Sequence, residues 1–104
     1  MEKQLKMIIS LLIKKTKSKH LSWKKLTESS YYIDFNDCRV NIFCQPVSYK
    51  EKRRIRLLIY NSRQEVISTL EEEKFKDLKE LYELAHNNYY SFDETLEMII
   101  RQLT

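Results

Sequence analysis

The stretch SYYIDFNDCRVNIFCQ (30–45) leaves the chain little freedom. Apolar and polar residues alternate on both sides of Asn36-Asp37, the period-2 pattern of a half-buried strand. Asn and Asp tolerate positive φ, so the pair supplies a two-residue hairpin turn in a sequence that contains no glycine. That turn sets Phe35 opposite Cys38, Ile33 opposite Val40 and Tyr31 opposite Ile42, with all six on one face. On the other face Asp34 meets Arg39, a favourable opposite-charge pair. A slip of one residue would scramble both faces, so turn and pattern specify the same register.

Other elements follow from spacing. Leu5, Ile8, Ile9 and Leu12 recur at helical intervals between Glu2 and Thr16. Met7, Leu11 and Ile13 widen that apolar face, which predicts a helix covered on more than one side. HLSWKK (20–25) alternates like a short strand, with Leu21 and Trp23 on one side and Ser22 and Lys24 on the other. RRIRLLIY (53–60) and QEVISTL (64–70) read as a second hairpin around Asn61 to Arg63. The expected pairs there are Ile59 with Val66, Ile55 with Leu70 and, on the far face, Leu58 with Ile67. Thr69 with Glu72 reads as a capping box opening a second helix. Its buried stripe is Phe75, Leu78, Leu81 or Tyr82, and Ala85, and Asn87-Asn88 supplies a left-handed stop. Ser91 with Glu94 opens a third helix, whose buried stripe is Leu96, Ile99, Ile100 and Leu103. The sum is one α+β domain over residues 1–104: a four- to five-stranded antiparallel β-meander with an N-terminal helix and a C-terminal helical hairpin.

The stretches LSW, YYIDF and LYELAHNNYYSFDETLEMIIRQL, in that order, resemble small prokaryotic domains with an N-terminal helix, a β-meander and a C-terminal helical pair carrying a DETL-type cap. The resemblance spans most of the chain and rests on caps and core positions. It implies a fold and no activity, so no functional residue carries over. The chain departs from that pattern in having no glycine at its hairpin turns.

Composition narrows the chemistry. A chain of 104 residues buries roughly two thirds of its unfolded surface, enough for one core. Without glycine, neither a phosphate-binding loop nor a dinucleotide fingerprint can form, since both need backbone N–H groups close to phosphate. The apolar run MIISLLI (7–13) is too short to span a bilayer. Lysines follow it at once and no small-residue cleavage site appears, which predicts helix core and a cytoplasmic protein. Cys38 and Cys44 lie six residues apart on one strand face, about 20 Å and too far to bond. They read as small buried hydrophobes. A zinc site from Cys38, Cys44, His20 and His86 matches no usual ligand spacing, so no metal and no cofactor is expected. Neither histidine neighbours a Ser or Cys in a nucleophile motif. The carboxylates Glu72, Glu73, Asp77, Glu80 and Glu83 fit a solvated helix face with Lys74, Lys76 and Lys79. The protein is therefore expected not to be an enzyme.

Charge is divided unevenly. Residues 1–56 hold 14 basic and 5 acidic residues, a net of +9, and residues 57–104 hold 5 basic and 10 acidic, a net of −5. KKTKSKHLSWKK (14–25) is the densest basic stretch. Lys14, Lys15, Lys17 and Lys19 lie at the end of the first helix, where its dipole favours cations, and Trp23 fits the core better than a base-stacking platform. The nucleic-acid alternative would use these four with Lys24, Lys25, Arg53, Arg54 and Arg56. Tyr32, Arg39, Phe43, Arg54, Arg56, Leu58, Tyr60 and Ile67 should share the outer sheet face, arginines interleaved with aromatics. Leu58 beside Ile67 suggests a face covered by protein, and no RNP1 signature is present. The loop QPVSYKEKRR (45–54) offers a further basic projection through Tyr49, Lys50, Lys52 and Arg53. The expected function is protein binding, by an accessory or regulatory protein of a bacterium or mobile element. The partner is another protein or a second copy in a homodimer, with nucleic acid as the alternative and no membrane.

Overall fold

The structure is a computed structural model that describes residues 2–46, 53–91 and 94–104. Its elements run α1 (Glu2–Lys17), β1 (Lys24–Thr27), β2 (Ser30–Phe35), β3 (Cys38–Pro46), β4 (Arg53–Tyr60), β5 (Val66–Glu71), α2 (Leu78–Ser91) and α3 (Glu94–Leu103). The strands form one antiparallel sheet in sequence order, a five-stranded meander. The α+β architecture read from the sequence is the one observed. Tyr49, Lys50 and Lys52 of the expected basic loop lie outside the described residues.

The central hairpin has the expected register: Ile33 pairs with Val40, Tyr31 with Ile42 and Phe35 with Cys38. Asn36 takes the left-handed conformation, φ 53°, and the Arg39 Nε donates to Asp34 Oδ1 at 2.7 Å. The inner face of β2, β3, β4 and β5 supplies Tyr31, Ile33, Val40, Ile42, Ile55, Leu57 and Leu70 to the core. Ile9 and Leu12 of α1 close over it with Leu78, Leu81 and Ala85 of α2. Burying each such aliphatic side chain is worth about 1.5–3 kcal/mol.

Helix α1 ends without the glycine such ends favour. Lys19 takes φ 62°, and the His20 N–H donates to the Lys15 carbonyl at 2.9 Å while the Lys19 N–H donates to Thr16 O at 3.1 Å. That is the Schellman arrangement. The alternating stretch starts its strand later than expected, at Lys24, yet Trp23 is buried as read. Its indole N–H donates to Thr16 Oγ1 at 2.9 Å, and Thr16 Oγ1 donates to the Leu12 carbonyl.

Five expectations are corrected. The second hairpin pairs Leu57 with Leu70 and Leu58 with Thr69, two residues from the expected register, so each residue keeps its face up to a bulge at Ile59/Tyr60. The turn is longer than expected: the Asn61 side chain accepts from the N–H groups of Arg63 and Glu65, and Val66 is left 49% exposed. Thr69 belongs to β5 and caps nothing. The Glu72 N–H instead donates to Ile55 O, its carboxylate accepts from the Ile55 N–H, and α2 begins at Leu78. Asn87-Asn88 does not end α2, which runs on to Ser91, because Asn88 is buried against the chain at Leu21 to Trp23. Helix α1 is covered on one side only: Met7 and Leu11 are exposed, since the single sheet and α2 offer no second layer. Finally, the expected buried stripe of α3 is not buried; every residue from 96 to 104 is exposed. The Ser91–Glu94 cap falls on side chains outside the described set.

Candidate functional site: an open sheet face, an apolar groove and an uncovered helix

Both packed helices lie on the inner side of the sheet, so among the described residues no helix packs on the outer side. Across it, β-pairing aligns Ser30, Phe43, Arg56 and Glu71 in one row, Tyr32, Asn41, Leu58 and Thr69 in the next, and Asp34, Arg39 and Tyr60 in a third. The eight residues expected on this face are therefore brought together, with Arg54 and Ile67 at its margins. Its arginines are engaged. Arg39 bonds Asp34 and stacks 4.3 Å from the Tyr32 ring centroid. Arg54 pairs with Glu73 at 2.6 Å and Arg56 with Glu71 at 3.1 Å. The hydrogen bond from Arg39 holds the Asp34 carboxyl below its usual range. Beneath these side chains Asn41 is buried, and its Oδ1 finds no hydrogen-bond partner among the described residues.

The lysines do not join this surface as one patch. Lys14, Lys15, Lys17 and Lys19 sit at the end of α1, on the helical side of the sheet, while Arg54 and Arg56 sit on the opposite side. Lys17 pairs with Glu80 at 3.0 Å and Lys25 with Glu28 at 3.3 Å. Lys24 lies on the edge strand opposite Tyr32, and the Arg53 side chain is outside the described set. Cys44 is buried as expected, whereas Cys38, expected to be buried too, is exposed because it lies at the hairpin end. His20 bonds Ser18 and His86 bonds Tyr31, so the four zinc-type residues are spread over β3, the α1–β1 connection and α2. Among the described residues no group of three or more His, Cys, Asp and Glu could hold a metal ion.

The α3 stripe, expected to be buried, is not, and part of the apolar surface beside α1 is also left open. On α3, Leu96, Ile99, Ile100 and Leu103 are 48%, 49%, 61% and 82% exposed. At 100° per residue they fall within one stripe about 100° wide. Between α1 and the far end of the sheet lies an open groove of about 330 Å³, lined by Ile8, Leu11, Leu12, Leu21, Phe35, Cys38, Val40 and Ile59, with Lys15 at its rim. The signal for both was present in the sequence as more apolar helical surface than one sheet face can cover.

Sequence reading also missed an aromatic cluster around His86. Its Nδ1 lies 2.5 Å from the Tyr31 hydroxyl, and the rings of Tyr82 and Tyr89 each stand 5.8 Å from Tyr31. His86 and Tyr90 are 4.6 Å apart, and Lys25 Nζ lies 6.0 Å from both Tyr89 and Tyr90. Spacing of 82, 86 and 89 on one helix face was the available clue. Burial pushes the Tyr31 hydroxyl up to about 12, so it stays protonated at neutral pH and serves as a hydrogen-bonding group rather than a base.

Among the described residues no helix is long and apolar enough to cross a membrane. Compared with protein-family models, curated proteins and solved structures, the chain matches none.

Proposed function

We propose that this protein is a non-enzymatic protein-interaction module whose principal contact is α3. The observation that carries this is the α3 stripe: four large aliphatic side chains, each about half exposed or more, on a helix with no buried residue from 96 to 104. Such a stripe matches the i, i+3, i+4, i+7 anchors by which a helix occupies a partner's groove. The open sheet face, with Tyr32, Phe43, Leu58, Tyr60 and Ile67, is a second contact surface. Its arginines Arg39, Arg54 and Arg56 are already matched to carboxylates, which favours protein over nucleic acid.

Small size and lysine richness, together with the resemblance to small prokaryotic domains, support an accessory or regulatory protein of a bacterium or mobile element. The exposed thiol of Cys38 supports a reducing compartment such as the cytoplasm. The test is capture of partners from nuclease-treated native cells by wild type and by Ile100→Glu/Leu103→Glu, followed by reconstitution with the purified partner. Loss of binding in the variant is expected. Equal binding by both would remove α3 from the reading.

Nucleic-acid binding through Lys14, Lys15, Lys19 and Lys24 is the second reading. It is supported by the absence of any carboxylate within ion-pair distance of these four among the described residues.

A further inference from the structure

We infer that the partner of α3 is a second copy of this chain: the α3 stripe of each copy fills the α1–sheet groove of the other, in a reciprocal two-fold dimer. This rests on the interaction-module reading and names its partner. The chain carries both halves of a helix-in-groove contact. The helix presents Leu96, Ile99, Ile100 and Leu103, and the groove presents Ile8, Leu11, Leu21, Phe35, Val40 and Ile59. Leu11 is 49% exposed and Phe35 39%, so the groove wall is unfinished in the single chain.

Area decides the stoichiometry. An aliphatic side chain offers on the order of 100 Å² of apolar surface. At the observed exposures one helix–groove contact offers at most roughly 400 Å² of apolar surface counting both sides, and two offer at most roughly 800 Å² before polar flanks are added. Specific, stable interfaces start near 1,200 Å² in total. A single contact falls well short, whereas the reciprocal pair with its flanks approaches that range. Reciprocity also closes the assembly, since a helix-to-groove contact repeated in one direction would build an open chain.

Charge agrees with this seating. Lys15 stands at the groove rim. On α3, Glu97 flanks the stripe beside Ile100, and its present partner Arg101 is 3.8 Å away, at the margin of an ion pair. Docking brings Glu97 to Lys15.

Cys38 is a native reporter, because its exposed thiol lines the groove while Cys44 is buried. The experiment measures solution mass and the alkylation rate of Cys38 over a range of protein concentrations. It uses the full chain, Ile100→Glu/Leu103→Glu and Leu11→Glu, with circular dichroism confirming that the variants fold. All three substituted positions are about half exposed or more in the single chain. Mass is expected to rise from 12.7 kDa to twice that, with Cys38 alkylation slowing at least tenfold over the same concentrations. Both variants should remain monomeric with Cys38 reactive throughout. The inference is overturned by a monomer at all concentrations, or by Cys38 protection that does not depend on concentration, which would place α3 in its own groove. A dimer that leaves Cys38 reactive and survives both variants overturns it too. A monomeric protein that still captures another protein through Ile100 and Leu103 removes this inference alone. A monomer without such capture removes the interaction reading as well.

Discussion

Individual residues here carry the cost of a sequence without glycine. Among the described residues, Lys19, Asn36 and Gln64 adopt positive φ. Asn accepts this region readily, whereas a Lys or Gln does so against Cβ crowding of about 1–2 kcal/mol. Replacing Lys19 by glycine should therefore raise stability by roughly 0.5–1 kcal/mol, the gain being reduced by glycine's larger unfolded-state entropy. Chemical denaturation would measure it, and a loss of stability would contradict the Schellman assignment. Asn36 was legible in the sequence because its residue type announces the turn. Lys19 and Gln64 were not, since nothing in their chemistry signals that region and only the surrounding hydrogen bonds impose it. Asn41 alternates with Arg39 and Phe43 onto the outer face, but its burial has no local signal, because it comes from neighbours on two other strands. An unpaired buried amide oxygen costs about 1–3 kcal/mol, so Asn41→Val should stabilise the sheet by roughly 1 kcal/mol, read as a higher denaturation midpoint. Tyr31 ties a residue to a pH range. Burial raises its folded-state value to about 12, above the ordinary tyrosine value of 10.0, so its contribution is fully present below pH 10. Between these values the unfolded chain sheds the proton and the folded chain keeps it, so stability falls as pH rises. Absorbance titration should show a late tyrosinate step near pH 12 that Tyr31→Phe removes.

At the scale of elements, local and distant signals agreed in the central hairpin and disagreed around α2. Turn chemistry, alternation and the Asp34–Arg39 pair all lie within sixteen residues of sequence, so β2 and β3 could be read to the residue. Thr69-x-x-Glu72 is an equally clear local pattern and yields no cap. Pairing with β4 carries the extended backbone past it, and Glu72 is drawn to the Ile55 backbone. Asn88 fails as a stop for the same reason. Its Oδ1 accepts from the Trp23 N–H at 2.8 Å and its Nδ2 donates to Leu21 O at 2.9 Å. These partners lie more than sixty residues away in sequence, beyond any local pattern. The amide thus fastens α2 to the segment between α1 and β1. Asn88→Ala would leave a buried N–H and carbonyl unpaired, at about 2–4 kcal/mol for the two. Asn87→Ala, on the exposed side, should cost little. Similar denaturation midpoints for the two variants would show that the Asn88 bonds do not hold the helix.

For the whole molecule, the division of charge is resolved in part within the fold and the exposed apolar surface of α3 is not. Acidic residues of the second half meet basic residues of the first at Lys17–Glu80, Arg54–Glu73 and Arg56–Glu71. Each exposed pair is worth at most about 1 kcal/mol, but together they take charge away from any phosphate-binding surface. Among the described residues the apolar stripe of α3 has no such internal match. The Cα radius of gyration is 14.9 Å, against about 13 Å for a compact domain of this length, an excess that an unpacked terminal helix produces. A helix that buries nothing in the core contributes little to its stability. Ending the chain after Ser91 should therefore leave the thermal transition of the remaining residues within about 1 kcal/mol of the full chain at low concentration, where partners are absent. If α3 serves association, the full chain alone should gain stability as its concentration rises, since self-binding favours the folded state by mass action. Melting both chains across a concentration series separates the two roles. A truncated chain that cannot fold would make α3 part of the core after all, whereas one that folds and loses only the concentration dependence would make it a contact surface.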